Sequence, residues 1–218
     1  MNREIFKRIL SSIILIPLAL FFIVKGSIFF LFFITIFFLV TSFEWFNMTK
    51  KKPYFIIGLI FLIFSSYSAY LLRGISNIDL NIFLIVILIC VSTDIGGYVF
   101  GKFFKGPKLI KKISPNKTYA GMIGGYFLSI ISVYFFSIYS NLISKNFLDY
   151  FSQDEFYFVL LISTISQIGD FTVSYFKRKS KVKNTGNILP GHGGLLDRTD
   201  GMIFAVPFAY IYLYFLSN

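Results

Sequence analysis

The chain has 218 residues, 56% of them hydrophobic and 14% charged, and its 21 Lys and Arg against 10 Asp and Glu give a net charge of +11. With a mean hydropathy of +0.74, this excludes a soluble globular domain and indicates an integral membrane protein. A single cysteine, Cys90, excludes an internal disulfide and a cysteine-based zinc cluster.

Seven apolar runs are long enough to cross a hydrocarbon core of ~30 Å as helices, for which about 20 residues suffice. They cover roughly residues 9–25, 27–47, 54–72, 81–101, 120–143, 155–176 and 201–217. Arg3, Lys7 and Arg8 precede the first run in the manner of a signal peptide. No small-residue cleavage site follows and the second run begins almost at once, so the first is expected to be a retained anchor. Cys90 falls in the fourth run and reads as a small hydrophobe. No Pro- or Ser-rich linker and no repeat of fixed period divides the chain. The expected fold is all-α: a polytopic transmembrane helical bundle of about seven spans, forming one membrane domain over residues 1–218.

With the N-terminus in the cytoplasm, residues 1–8, 48–53, 102–119 and 177–200 face inward and hold 18 of the 21 Lys and Arg. The outside loops keep only Lys25, Arg73 and Lys145, so the positive-inside bias sets this orientation. Basic loops also attract anionic lipid headgroups, which accounts for Lys50, Lys51 and Lys52 without further function. Asp79, Asp149, Asp154 and Glu155 lie in outside loops, and Glu4 at the cytoplasmic end. Glu44, Asp94, Asp170, Asp197 and Asp200 instead fall in the cytoplasmic third of a span or at its cytoplasmic mouth. A carboxylate there is costly unless paired, neutralised or metal-bound, so these five are expected to form one site at the cytoplasmic face, assembled from several helices.

Asp197 and Asp200 are three residues apart and would share one face of a helix. Their repulsion is relieved by a divalent cation, since hard oxygen ligands suit Mg²⁺, or by Arg198 and nearby lysines. Asp170, in SQIGDFTVSYFKR, lies inside the boundary marked by Lys177 and Arg178 by about 10 Å at a rise of 1.5 Å per residue. It either completes a metal site with Asp197 or is a protonated carboxyl bonded to Gln167 or a neighbouring helix. Asp94, in STDIGGYVFG, is similarly deep, and metal ligation, nucleotide contact and structural hydrogen bonding all stay open for it. Gly97 and Gly101, like Gly121 and Gly125, have the GxxxG spacing of close helix packing. Glu44 beside Trp45 is the weakest candidate, with an interfacial anchor as its plain alternative.

The stretch ISPNKTYAG at 113–121 is expected to be a loop entering a helix, offering Ser114, Asn116, Lys117, Thr118 and free backbone N–H groups to an anionic phosphate. A helix cap alone explains Ser or Thr there equally well. GKFFKGP at 101–107 is not a Walker P-loop, because Pro107 stands where Lys should be and no Ser or Thr follows. His192 is the single histidine and has no recognisable Ser and Asp partners of a hydrolase triad. It is assigned to binding and not to proton transfer, since a phosphate monoester with a second pKa of about 6 is already largely dianionic at neutral pH.

Residues 174–200, SYFKRKSKVKNTGNILPGHGGLLDRTD, resemble the signature of the phosphatidate cytidylyltransferase family, also called CDP-diacylglycerol synthases. The matching positions are Ser174, Phe176, Lys177, Arg178, Lys183, Gly186, Leu189, Pro190, His192, Gly193, Gly194, Asp197, Arg198 and Asp200. QIGD at 167–170 and SPNKTYAG at 114–121 are similar to two further family segments, and the resemblance covers about residues 90–205, the expected catalytic part. Asn184 stands where the family has Asp, Ala120 where it has Glu, and the chain is shorter than typical members.

The resemblance implies that CTP and phosphatidate give CDP-diacylglycerol and pyrophosphate, as the lipid phosphate attacks the α-phosphorus of CTP. It implies Mg²⁺ held by Asp170, Asp197 and Asp200, with a second cation left open. Asp170, Asp197, Asp200, Lys177 and Arg198 would be catalytic, and Ser114, Lys117, Thr118, Arg178, Lys183, His192 and Asp94 would bind substrate. The implied partners are CTP, phosphatidate and the lipid bilayer, with no nucleic acid and a homodimer left open. The implied location is the bacterial cytoplasmic membrane. An ion-coupled transporter is the rival from another class, although no inverted halves are visible. A CDP-alcohol phosphotransferase lacks its aspartate series here, and an inactive paralogue is hinted at only by Asn184 and chain length.

Overall fold

The computed structural model describes residues 3–50, 52–74, 77–143, 155–189, 191 and 193–216. Its elements in chain order are α1 (Arg3–Lys25), α2 (Ser27–Thr49), α3 (Phe55–Arg73), α4 (Asn77–Phe104), β1 (Lys108–Ile110), β2 (Ser114–Thr118), α5 (Tyr119–Ile143), α6 (Glu155–Lys179), α7 (Leu196–Thr199) and α8 (Met202–Leu216). Among the described residues α2 to α6 are long and apolar enough to cross a membrane, while Ser11–Lys25 and Met202–Phe215 are shorter apolar helices. Ile13, Ile28, Ile57 and Phe103 on the outer faces are exposed. Large apolar side chains exposed on several helices fit contact with a bilayer.

The centre of the bundle is α4. Ile85, Val86, Ile89 and Cys90 are almost wholly buried there, packed among residues of α2, α3, α5, α6 and α8, so Cys90 is the small hydrophobe its position indicated. Between apolar helices in lipid, association depends on close packing and on hydroxyl bonds across the seam. Both are present. A Cβ on Gly121 would lie 2.6 Å from the Gly97 carbonyl oxygen and 3.3 Å from the Gly101 Cα, which confirms the packing role of the GxxxG glycines. Thr93 and Ser163 share a hydroxyl bond of 2.8 Å between α4 and α6, and Tyr126 and Thr164 one of 3.0 Å between α5 and α6.

Two expectations need correction. Residues 113–121 are not a plain loop: β2 pairs antiparallel with β1, placing Lys108 opposite Thr118 and Ile110 opposite Ser114. The turn out of α4 uses positive φ at Lys105 and Gly106, and the Pro107 carbonyl accepts the Tyr119 N–H at 3.2 Å. This ribbon folds back over the end of α4 and delivers Lys117 and Thr118 to the first turn of α5, adding a short β element to an otherwise helical fold. Arg73 is not a loop cation either. It is the last residue of α3, is buried, and donates from Nε to the Ile23 carbonyl at 2.8 Å and from Nη2 to that of Val24 at 3.3 Å. A guanidinium here meets carbonyls that the last turn of α1 leaves without helical partners.

Candidate active site

The segment between α6 and α8 is held by a carboxylate from a distant helix. Glu44 on α2 is 1% exposed. Its Oε1 accepts the Leu195 N–H at 2.9 Å, and its Oε2 accepts the Leu196 N–H at 2.8 Å and the Thr185 hydroxyl at 3.0 Å. A Cβ on Gly194 would come within 2.6 Å of Glu44 Oε2, so glycine is required for the backbone to approach the carboxylate this closely. Leu189 and Gly193 exchange two backbone bonds of 2.9 and 3.2 Å. Glu44 is therefore a buried anchor, not an interfacial one, and Thr185 is a participant that sequence reasoning missed.

Asp197 divides its two oxygens between architecture and charge. Oδ2 accepts the Thr185 N–H at 2.8 Å and the Gly194 N–H at 3.0 Å, while Oδ1 meets Lys177 Nζ at 2.9 Å. Lys177 also reaches Asp200 Oδ2 at 3.8 Å. The lysine on α6 thus sits between the two aspartates of α7 and its C-terminal cap, relieving the repulsion that their spacing implied. Asp200 Oδ1 accepts the Gly201 N–H at 3.1 Å. Burial, followed by the neighbouring Asp170 carboxylate, raises the Asp200 pKa well above the usual carboxylate range, and Lys177 opposes that shift.

Asp170 lies one and a half to two turns before Lys177 on α6 and forms an ion pair with Lys117 of β2. Ser174 donates to Asp170 Oδ1 at 3.3 Å, and Lys117 Nζ stands 4.3 Å from the centre of the Phe171 ring. Asp94 on α4 lies within electrostatic reach of Asp170, Lys117 and Arg198. Asp94, Asp170, Asp197 and Asp200 therefore converge at the end of the bundle that carries the ribbon. Lys117 and Lys177 are interleaved with them.

The other expected residues sit around this cluster in different ways. Thr118 is buried and accepts the Gly121 N–H at 3.1 Å, which is the bond of a helix cap. Arg178 is exposed and donates from Nε to the Ile113 carbonyl at 3.2 Å, tying α6 to the ribbon. Lys183, on the loop after α6, and Arg198, on α7, are exposed, and Ser114 is half-buried in β2. His192 lies outside the described residues. Among the described residues no three His, Cys, Asp or Glu side chains form a ready-made metal cage. Asp170 on α6 and Asp200 at the C-terminal cap of α7 nevertheless offer hard carboxylate oxygens, and Mg²⁺ is commonly held by one or two carboxylates together with substrate phosphates.

A family model described as the cytidylyltransferase family matches residues 54–216. The chain is 36% identical to a phosphatidate cytidylyltransferase of Rickettsia felis, with 99% of this chain and 93% of that one covered. It is 37% identical to the protein of the same name from Rickettsia conorii, covering 92% and 87%. The corresponding protein of Rickettsia bellii is 35% identical, with 94% and 88% covered. Glu44 lies before the matched residues, although it anchors a loop inside them.

Proposed function

Because the chain belongs to the cytidylyltransferase family, we infer that it is a membrane-embedded nucleotidyltransferase that converts CTP and phosphatidate to CDP-diacylglycerol and pyrophosphate. The observation that carries this reading is the lysine–aspartate cluster, in which Lys117 pairs with Asp170 and Lys177 with Asp197 and Asp200. An oxygen of the lipid phosphate bonds to the α-phosphorus of CTP as the bond from that phosphorus to the bridging oxygen breaks, and pyrophosphate leaves with the electron pair. Two polyanions must approach one another. Lys117, Lys177, Arg178, Lys183 and Arg198 supply the positive charge that makes this approach tolerable, and the guanidinium of Arg198 suits a bidentate phosphate contact.

Mg²⁺, where bound, would stabilise charge on the triphosphate and the leaving pyrophosphate. Asp170 and Asp200 are the first candidates to hold it, and Asp94 lies within electrostatic reach of both. Asp197, the third expected ligand, has Oδ2 on two peptide N–H groups and keeps Oδ1, which meets Lys177, for an ion. It also positions Lys177. The basic segments support a cytoplasmic N-terminus, with the site open to CTP on the cytoplasmic side, in the bacterial inner membrane. The chain works as one membrane domain. Purified protein incubated with CTP and phosphatidate, with and without Mg²⁺, tests the reading: metal-dependent CDP-diacylglycerol formation supports it. Absence of conversion together with ion flux in liposomes would favour the transporter instead.

A further inference from the structure

Two apolar grooves open on the flanks of the bundle. One, of about 450 Å³, lies between α2 and α3, has no charged residue in its lining and touches none of the site residues. The other, of about 280 Å³, is bounded by α2, α3, α6 and α8 and lined by Trp45, Tyr54, Phe61, Phe176, Leu196 and Phe204 among others. The smaller one is lined by chain neighbours of the site residues: Phe176 precedes Lys177, Leu196 precedes Asp197, and Thr172 and Val173 follow Asp170.

Its rim is cationic. Lys179 Nζ stands 4.7 Å from the centre of the Tyr54 ring and 5.7 Å from that of Tyr175, and the Tyr54 hydroxyl is 3.2 Å from Ser180 Oγ. From Tyr54 to Leu62 the wall follows α3 for about 12 Å at 1.5 Å per residue. The groove thus runs from the charged end of the bundle toward its apolar middle. An aromatic trough with lysines at one end matches an amphiphile that joins an apolar tail to an anionic head.

We propose that this groove holds an acyl chain of phosphatidate, with the lipid phosphate at the Lys177 and Lys179 end, so that Phe61, Thr172 and Phe204 set acyl-chain selectivity. The inference rests on the assignment of phosphatidate as substrate. The larger groove has the apolar lining but neither a cation at its rim nor lining residues next to the site residues in the chain, which leaves it to ordinary bilayer lipid.

Trp45 is the single tryptophan and lines the groove, so its fluorescence reports occupancy without turnover. The protein is placed in phosphatidylcholine vesicles containing a minor fraction of either phosphatidate brominated in its acyl chains or equally brominated phosphatidylcholine. Brominated phosphatidate is expected to quench Trp45 more strongly, and Thr172→Phe, which narrows the groove, to remove the difference. Equal quenching by the two lipids in the wild type overturns the proposal. In turnover, Thr172→Phe is expected to raise KM for long-chain phosphatidate by about tenfold, the change that follows from losing the burial of about two methylene groups. It should leave kcat, the KM for CTP and turnover of a short-chain phosphatidate unchanged, and an equal change for both chain lengths would also overturn it. Ile57→Phe narrows the same groove from an exposed position on α3 and serves if Thr172→Phe does not fold. Ser66→Phe in the larger groove should change none of these quantities. Should wild-type protein show no CTP-dependent conversion at all, the substrate assignment fails, while the quenching comparison still decides what the groove holds.

Discussion

Glu44 and Arg73 are buried charges of opposite sign at opposite ends of the bundle, and both have peptide groups among their partners. Lys117 and Asp170 meet as one side-chain ion pair, and Lys177 meets the side chains of Asp197 and Asp200. The difference separates architecture from chemistry. A peptide group stays in place for as long as the fold lasts, whereas a side-chain ion pair can be opened and its charge offered to an incoming phosphate. Asp197 belongs to both regions, with one oxygen on peptide N–H groups and the other on Lys177.

The largest effect that sharpens this contrast is expected from Lys177→Met. It leaves Asp197 and Asp200 buried without their shared cation, which should cost on the order of 3–5 kcal/mol of stability and about 10²–10³-fold in kcat. Thermal unfolding in detergent and a turnover assay on the folded fraction measure the two losses separately. Glu44→Gln comes next: its amide NH₂ faces donors that the carboxylate accepted, a loss of about 1–3 kcal/mol. Thermal unfolding should shift clearly while the folded fraction still turns over. Arg73→Gln should cost a comparable or smaller amount within the same range of about 1–3 kcal/mol and leave KM for both substrates untouched; an altered KM would break the division between the two regions. The smallest change is expected from Asn184→Asp on the exposed loop, which restores the residue typical of the family. Its effect on kcat should stay within about twofold, because an exposed charge contributes only ~0.5 kcal/mol.

The long apolar runs could be read from sequence because a stretch of about 20 apolar residues has few other fates. The α4–α5 seam was legible for a similar reason, since glycines four apart leave room only for another backbone. The convergence of Asp94, Asp170, Asp197 and Asp200 followed from the cost of carboxylates at membrane depth, but their lysine partners did not. Lys117 reaches Asp170 only because a ribbon of three- and five-residue strands folds back over α4, and a Ser-Pro-Asn-Lys composition reads as a loop. Glu44 was underrated because its partners are mainly peptide N–H groups and one hydroxyl from another part of the chain, and no side-chain pattern records those. Arg73 was read as a marker of topology for the same reason, since the carbonyls it meets belong to the end of α1.

The most direct test of the central claim is the rate of CDP-diacylglycerol formation from CTP and phosphatidate by Asp170→Asn beside the wild type, both purified, with equal folded fractions. The account expects the wild type to turn over and the variant to lose about 10²–10³-fold in kcat with its unfolding temperature nearly unchanged. Turnover by Asp170→Asn at the wild-type rate would contradict it.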